Sequence, residues 1–120
     1  MVAGQDNTCA RCGKEVAAGH KCDTDKFRYD LIPSEPLAAL AHVYTLGARK
    51  YGDDNYLAGM KWGRVIGALF RHLEAWRRGE TFDLEDGQHH LSSVAWCAFT
   101  LFMYELHNIG EDDRWGRRPE

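Results

Sequence analysis

Apolar residues recur at three-and-four spacing in three stretches of the chain, the period of one helical face. In the first stretch Leu37, Leu40, Ala41, Tyr44, Ala48 and Tyr51 form the stripe. Ser34 suits the N-cap, Glu35 and Pro36 suit the first turn, and Gly52 closes the helix. Residues 53–61 carry the Asp, Asn and Gly of a loop. Lys61 and Arg64 open a second helix, with Ile66, Leu69, Phe70, Leu73 and Trp76 on its stripe and Gly79 at its end. An acidic, turn-like segment, residues 80–87, leads into a third helix marked by Leu91, Val94, Ala95, Ala98, Leu101, Phe102 and Leu106 and stopped at Gly110. This helix is apolar nearly all round, which three helices alone can hardly bury. A partner subunit is expected to cover part of it, making a homodimer or higher homo-oligomer.

The pattern predicts an all-α bundle of three main helices, completed by oligomerisation. Residues 26–110 form the expected helical domain, opening on a short extended stretch before Pro33, and residues 111–120 a charged tail with a lone Trp115. No strand alternation or internal repeat is present.

The first 25 residues break the pattern. Three of the four cysteines fall there, as Cys9-x-x-Cys12 followed by His20-x-Cys22. A two-residue gap lets two thiolates reach one ion from a tight turn, and His20 with Cys22 could complete a tetrahedron. Residues 1–25 are therefore read as a small knuckle holding structural Zn²⁺ on Cys9, Cys12, His20 and Cys22. The one-residue gap between the last pair is short for a zinc finger, so His20 is the weakest member. The rival readings are a tail of reduced thiols or a disulfide, which a reducing compartment disfavours. Cys97, amid Ala, Trp and Phe, reads as a small buried hydrophobe.

Charge narrows the partners. Fifteen Lys and Arg against 18 Asp and Glu give a net charge of −3, no basis for holding nucleic acid by phosphate neutralisation. The longest strongly apolar run, residues 94–104, falls short of the about 20 residues of a membrane span. With no signal-peptide core at residues 1–7, a cytoplasmic protein is expected.

Chemistry concentrates in the acidic turn. Glu80, Asp83, Glu85 and Asp86 lie between two helices and are followed by His89 and His90. Carboxylates at this density suit Mg²⁺ or Mn²⁺, and those ions suit phosphates. The plainer reading is a solvated helix start, where acids meet the positive end of the helix dipole. His90 shares a stripe with Val94, Leu101 and Tyr104 and should face inward, as a core residue or a ligand, while His89 should point elsewhere. Lys50, Arg64, Arg71 and His72 supply positive or titratable groups for phosphate, and Tyr51, Asn55 and Trp62 a flat face and an amide for a base. Ser92, Ser93 and Cys97 lack the cues of a nucleophile, and no glycine-rich phosphate loop is present.

Five short strings occur together: RYDLIP (28–33); GARKYG (47–52) with Asn55; RHL (71–73); Gly79-Glu80 with Asp83, Glu85 and Gly87; and His90-Leu91. Their order over about residues 26–106 resembles the phage-type dATP/dGTP diphosphohydrolase family. The resemblance implies an all-α relative of MazG-type nucleoside-triphosphate pyrophosphohydrolases, which use a divalent metal to release a monophosphate and pyrophosphate. It implies catalytic roles for Glu80, Asp83, Glu85 and His90, with Mg²⁺ or Mn²⁺ on the three acids. Nucleotide contacts would come from Lys50, Asn55, Arg64, Arg71 and His72. The MazG pattern sets paired acids on two helices, whereas Glu80-x-x-Asp83 sits in a turn here. Ser93 and Cys97 replace a histidine and an asparagine of the family pattern. A module that binds or sequesters nucleotide without efficient turnover is therefore the alternative, and a zinc-knuckle adaptor a further one.

Overall fold

The computed structural model describes residues 7–117. They form three α-helices, α1 (Ser34–Tyr51), α2 (Trp62–Arg77) and α3 (His90–His107), with single 3₁₀ turns at Tyr29–Leu31, Asn55–Ala58 and Trp115–Arg117. Only isolated bridges occur in place of strands among the described residues, so the fold is all-α as the periodicity predicts. No helix among them is long and apolar enough to cross a membrane. The chain divides into two compact units at Ile32 and Pro33, later than the expected boundary at residue 25.

In the first unit, the Cys9 N–H donates to the Lys14 carbonyl at 2.7 Å and the Gly13 N–H to the Cys9 carbonyl at 2.8 Å, closing a tight turn. Gly13 stands at φ +75°, which a glycine adopts without the Cβ penalty. Arg11 pairs with Asp25, so the expected linker folds back on the turn. The stretch before Pro33 is a 3₁₀ turn rather than extended, with only Ile32 in a β conformation.

In the second unit, α3 packs against both α2 and α1. Helix ends differ from the sequence reading in two places. Ser34 is already helical; Pro33 takes the cap position, and no side chain caps α1. At the other end of the bundle α3 stops at Asn108, in the left-handed conformation at φ 55°, before Gly110 is reached. Asn tolerates that region because its short polar side chain can bond locally.

Gly110 is needed elsewhere. It also has positive φ, and a Cβ on it would run into the Met60 carbonyl oxygen. That close approach lets the Trp62 N–H donate to the Glu111 carbonyl at 2.9 Å, while the Trp62 indole N–H donates to the Ile109 carbonyl at 2.8 Å. The Gly63 N–H donates to Asp113 Oδ1 at 2.7 Å. An acid from beyond α3 thus caps the start of α2, where Lys61 offers no side-chain bond. Arg114, paired with Asp112 at 2.8 Å, lies over the Trp62 ring. The expected charged tail is therefore integral to the fold as far as Arg114, although Trp115 is exposed.

Trp62, Val65, Cys97 and Tyr104 form the core cluster, and Tyr104 Oη donates to the Tyr56 carbonyl at 2.5 Å. Trp62 is thus a core residue and no face for a base. The buried side of α3 is largely small and polar: His90, Ser92, Ser93, Cys97, Thr100 and Tyr104. The expected apolar stripes of α2 and α3 are split: Leu69 and Leu101 pack against this core, while other members point outward. Phe70 on α2 is 63% exposed, Phe102 and Leu106 on α3 are 66% and 63% exposed, and Leu73, Trp76 and Leu91 are exposed as well.

Asp113→Ala removes the acceptor at the start of α2. It is expected to cost about 1 kcal/mol, lowering the Tm of the second unit by about 4–8 °C, with Asp113→Asn in between. Thermal unfolding followed by circular dichroism reads this, and an unchanged Tm for Asp113→Ala would refute the capping role.

Candidate active site

The acidic segment between α2 and α3 is a closed loop. The Glu80 N–H donates to the Ala75 carbonyl at 3.0 Å, and Gly79 at φ +104° makes the bend that leaves α2. The Asp83 N–H donates to the Gln88 carbonyl at 2.7 Å, the Gly87 N–H to the Asp83 carbonyl at 2.8 Å and the His90 N–H to the Thr81 carbonyl at 3.0 Å. Asp83 Oδ1 accepts the Glu85 N–H at 2.8 Å, the Asx turn expected of aspartate in such a loop. These bonds fix the direction of the Asp83 carboxylate, and Oδ2 lies 3.6 Å from His72 Nδ1.

Four side chains meet where this loop crosses the two helices. His72, late on α2, and His90, the first residue of α3, bring their Nδ1 atoms to 2.9 Å. His90 Nε2 lies 3.1 Å from Glu80 Oε2. His90 is 4% exposed, as its inward stripe predicts, and His89 instead accepts the Leu91 N–H and packs its ring edge to face with Phe82. A proton on His90 Nε2 satisfies Glu80 and leaves Nδ1 as a lone pair. His72 Nδ1 then donates to it.

Burial pushes the His72 pKa down; the Asp83 charge opposes the shift, and the His90 and Arg71 charges add to it. A depressed pKa keeps this imidazole neutral near physiological pH. One ligand atom each from His72, Asp83 and His90 lies within 4.8 Å of the others, a spacing that suits a single ion. That set differs from the expected Glu80, Asp83 and Glu85. Glu80 binds His90, and Glu85 is exposed and joins the site through its backbone N–H. His72, expected among the nucleotide contacts, belongs to the cluster.

Next along α2, Arg71 lines a pocket of about 450 Å³ with Arg64, Met60, Gly63, Ala68 and Trp96. A Cβ on Gly67 would stand 3.1 Å from Arg71 Nη1, so this glycine leaves room for the guanidinium. Trp96, Tyr44 and Tyr56 form a cluster of tilted and edge-on rings with centroids 5.7–6.2 Å apart. Sequence reasoning missed Trp96 and Met60, because apolar residues on an apolar helix carry no mark of a pocket. Lys50, at the end of α1, lies over the Tyr51 ring. The Tyr51 side chain raises its pKa first, and the charges of Glu85 and Asp86 raise it further, so Lys50 feels the acidic loop. Asn55 is exposed and begins the following 3₁₀ turn, and no contact among the described residues joins it to the histidine cluster.

The cysteines make a second candidate metal centre in the first unit. One sulfur each from Cys9, Cys12 and Cys22 lies within 4.8 Å of the others. Backbone N–H groups of Cys12 and Arg11 lower the Cys9 pKa to about 7, aided by the neighbouring thiols. Cys12 goes the other way: the Lys14 backbone pulls it down, but burial and the Cys9 and Cys22 thiols push it up more. His20 lies outside this three-residue set, yet its Nε2 is buried without a hydrogen-bond partner. Cys97 is buried and its thiol is raised to about 11 by that burial, with the Arg71 charge opposing, which leaves it inert.

Residues 16–114 match the family described as dATP/dGTP diphosphohydrolase, N-terminal. The match begins within the cysteine unit, earlier than the resemblance from sequence strings, and runs through Asp113 and Arg114. A protein of Salmonella phage PMBT28 named dATP/dGTP diphosphohydrolase is 31% identical over 100 residues, covering 81% of this chain and 33% of its own length. The chain thus spans about a third of the curated relative it matches. No solved structure matches. By the extent of the family match, the chain belongs to the dATP/dGTP diphosphohydrolase N-terminal family.

Proposed function

We propose that the chain hydrolyses a purine deoxynucleoside triphosphate to the monophosphate and pyrophosphate, with Mg²⁺ or Mn²⁺ at the junction of α2, α3 and the acidic loop. The convergence of His72, Asp83 and His90, with Glu80 bonded to His90, carries this reading, because it assembles divalent-ion ligands one residue from Arg71 and its pocket. The name of the phage relative supports the substrate class. The MazG-type relationship implied by the sequence strings is the ground for placing cleavage between the α and β phosphates.

When bound, the divalent ion supplies positive charge against the phosphate oxygens and makes water more acidic. Arg71 and Arg64 grip those oxygens through planar, multi-donor guanidinium groups and meet the charge that builds as pyrophosphate leaves. Trp96 and Met60 offer the pocket an apolar, polarisable wall for the base. Glu80, one oxygen of which is held by His90, presents its other oxygen to take a proton from the attacking water. Lys50 and Asn55 are assigned to the outer part of the triphosphate or the base, and Glu85 to the loop geometry that aims Asp83.

Structural zinc is assigned to Cys9, Cys12 and Cys22, with His20 as the fourth ligand. Three gathered thiols, one with a pKa of about 7, and a buried imidazole nitrogen without a partner support that set. The outward apolar faces of α2 and α3 are assigned to a second copy of the chain. Covering one phenylalanine is worth about 1.5–3 kcal/mol, and Phe70, Phe99 and Phe102 all lie exposed.

Three measurements follow. Incubation with dATP or dGTP and Mg²⁺ or Mn²⁺ should yield the monophosphate and pyrophosphate, and Asp83→Asn or Arg71→Ala should lower kcat/KM about 100-fold or more. Tight binding without monophosphate would favour the sequestering alternative. Protein purified without chelator should hold about one zinc per chain, lost in Cys9→Ser with Cys12→Ser. Zinc retained by that double variant would refute the ligand set. In sedimentation the chain should run as a dimer or larger, and Phe99→Ser with Phe102→Ser should shift it towards monomer; a monomeric parent at micromolar concentration counts against the assignment.

A further inference from the structure

The ligand atoms gathered at the crossing of α2, α3 and the acidic loop say more than that a divalent ion fits. We infer that this site selects a first-row transition ion over Mg²⁺, taking it on His72 Nδ1, His90 Nδ1 and Asp83 Oδ2. Glu80 acts as a positioning residue on His90 and is no ligand. The inference rests on the divalent-ion site of the proposed function and specifies its chemistry.

Ligand type is the first support. Mg²⁺ takes oxygen and holds its waters, whereas imidazole nitrogen favours the later divalent ions of the first row. Two imidazoles and one carboxylate on a single ion, with the remaining positions open, is a ligand set of ferrous and related transition ions. Here two of the three atoms within 4.8 Å of one another are ring nitrogens.

Spacing is the second. The two Nδ1 atoms stand 2.9 Å apart. That separation, with Asp83 Oδ2 3.6 Å from His72 Nδ1, lets one ion reach all three atoms after the proton between the rings is displaced. Tautomer is the third. Glu80 Oε2, 3.1 Å from His90 Nε2, fixes the proton on that nitrogen and turns the Nδ1 lone pair into the cluster. Asp83 is set in the same way, because the Glu85 N–H occupies Oδ1 and leaves Oδ2 towards His72. His72 ligates through Nδ1 as the tautomer that carries its single ring proton on Nε2.

The two metal centres can be told apart. Thiolates at Cys9, Cys12 and Cys22 are soft ligands suited to zinc, so Mn²⁺ reports on the imidazole site. Electron paramagnetic resonance of the full chain titrated with Mn²⁺ should show about one tight site per chain. A hundredfold excess of Mg²⁺ should fail to empty it. In the unmutated protein, pulsed measurements should show ¹⁴N coupling from directly bound imidazole, a readout that needs no variant to fold. His72→Gln and His90→Gln should each weaken Mn²⁺ binding at least tenfold with zinc content unchanged, and Glu80→Gln should weaken it about 10- to 100-fold while keeping the ¹⁴N signal.

Absence of ¹⁴N coupling, displacement by equimolar Mg²⁺, or no Mn²⁺ bound with or without a non-hydrolysable dATP analogue would each overturn the inference. Pyrophosphate release supported equally by Mg²⁺ with no nitrogen-bound Mn²⁺ would leave the hydrolase reading standing and remove this one. Nitrogen-bound Mn²⁺ in a chain that hydrolyses no triphosphate would do the reverse.

Discussion

The pairing of α2 with α3 around Trp62, Val65, Cys97 and Tyr104 is the constraint on which the rest depends. Ser92, Ser93, Cys97 and Thr100 line the buried side of α3 where a stable isolated bundle would set leucine and phenylalanine. Small side chains let helices approach closely, but they release little free energy on burial. Stability must come from elsewhere in the molecule. Part comes from the Trp62 and Tyr104 cluster, whose indole and hydroxyl groups donate to carbonyls of Ile109 and Tyr56. Part comes from the segment after α3, which returns to the start of α2 through Glu111 and Asp113. The close pairing is also what sets His72 opposite His90. A larger residue at Cys97, inside that cluster, would push the helices apart and separate the two rings.

This partial inversion explains what the sequence showed and what it hid. Helical period fixed the existence and extent of all three helices to within a few residues, because Leu, Ala and aromatic spacing survives whichever face is buried. It did not reveal which face that was. The stripes of Ile66 to Trp76 and Leu91 to Leu106 are the most apolar on their helices, yet Phe70, Phe102 and Leu106 lie largely exposed. A rule that turns the most hydrophobic face inward holds for a protein that completes its core alone. Here the buried side of α3 carries polar residues, and its apolar stripe is divided between the core, at Leu101, and the surface, at Phe102 and Leu106. The clue was present in the all-round hydrophobicity of α3, which called for more cover than three helices can give.

The site was half legible for a related reason. Carboxylate density in residues 80–87 drew attention to Glu80 and Asp83, and the stripe of His90 placed that ring inward. Local density cannot show that His72, eleven positions upstream of Asp83 and on another helix, shares the same few ångströms. Nor can it show that Glu80 spends an oxygen on His90, or that Glu85 contributes a backbone N–H while its carboxylate stays in solvent. Asp113 escaped for the converse reason: a charged stretch after a helix looks like a frayed end until its contacts are known. The cysteine turn was read more fully, because ligands in one tight turn are neighbours in space as well as in sequence.

Two candidate ligand sets of different softness lie in one short chain, thiols in the first unit and imidazoles with a carboxylate in the second. A cell offers both zinc and weaker-binding ions, and by the usual order of divalent affinities zinc would take either set. Separation has to rest on geometry and on how each site is held. A set of three thiols and an imidazole suits tetrahedral zinc, aided by a Cys9 thiol already acidified by backbone N–H groups. The imidazoles have less freedom. His90 is buried at a helix start and tied to Glu80, and Asp83 is tied to its own loop, so the nitrogens stay close together unless α2 and α3 move. On the proposed metal reading, these tethers to Glu80 and to the loop are what resist collapse of the site around the wrong ion.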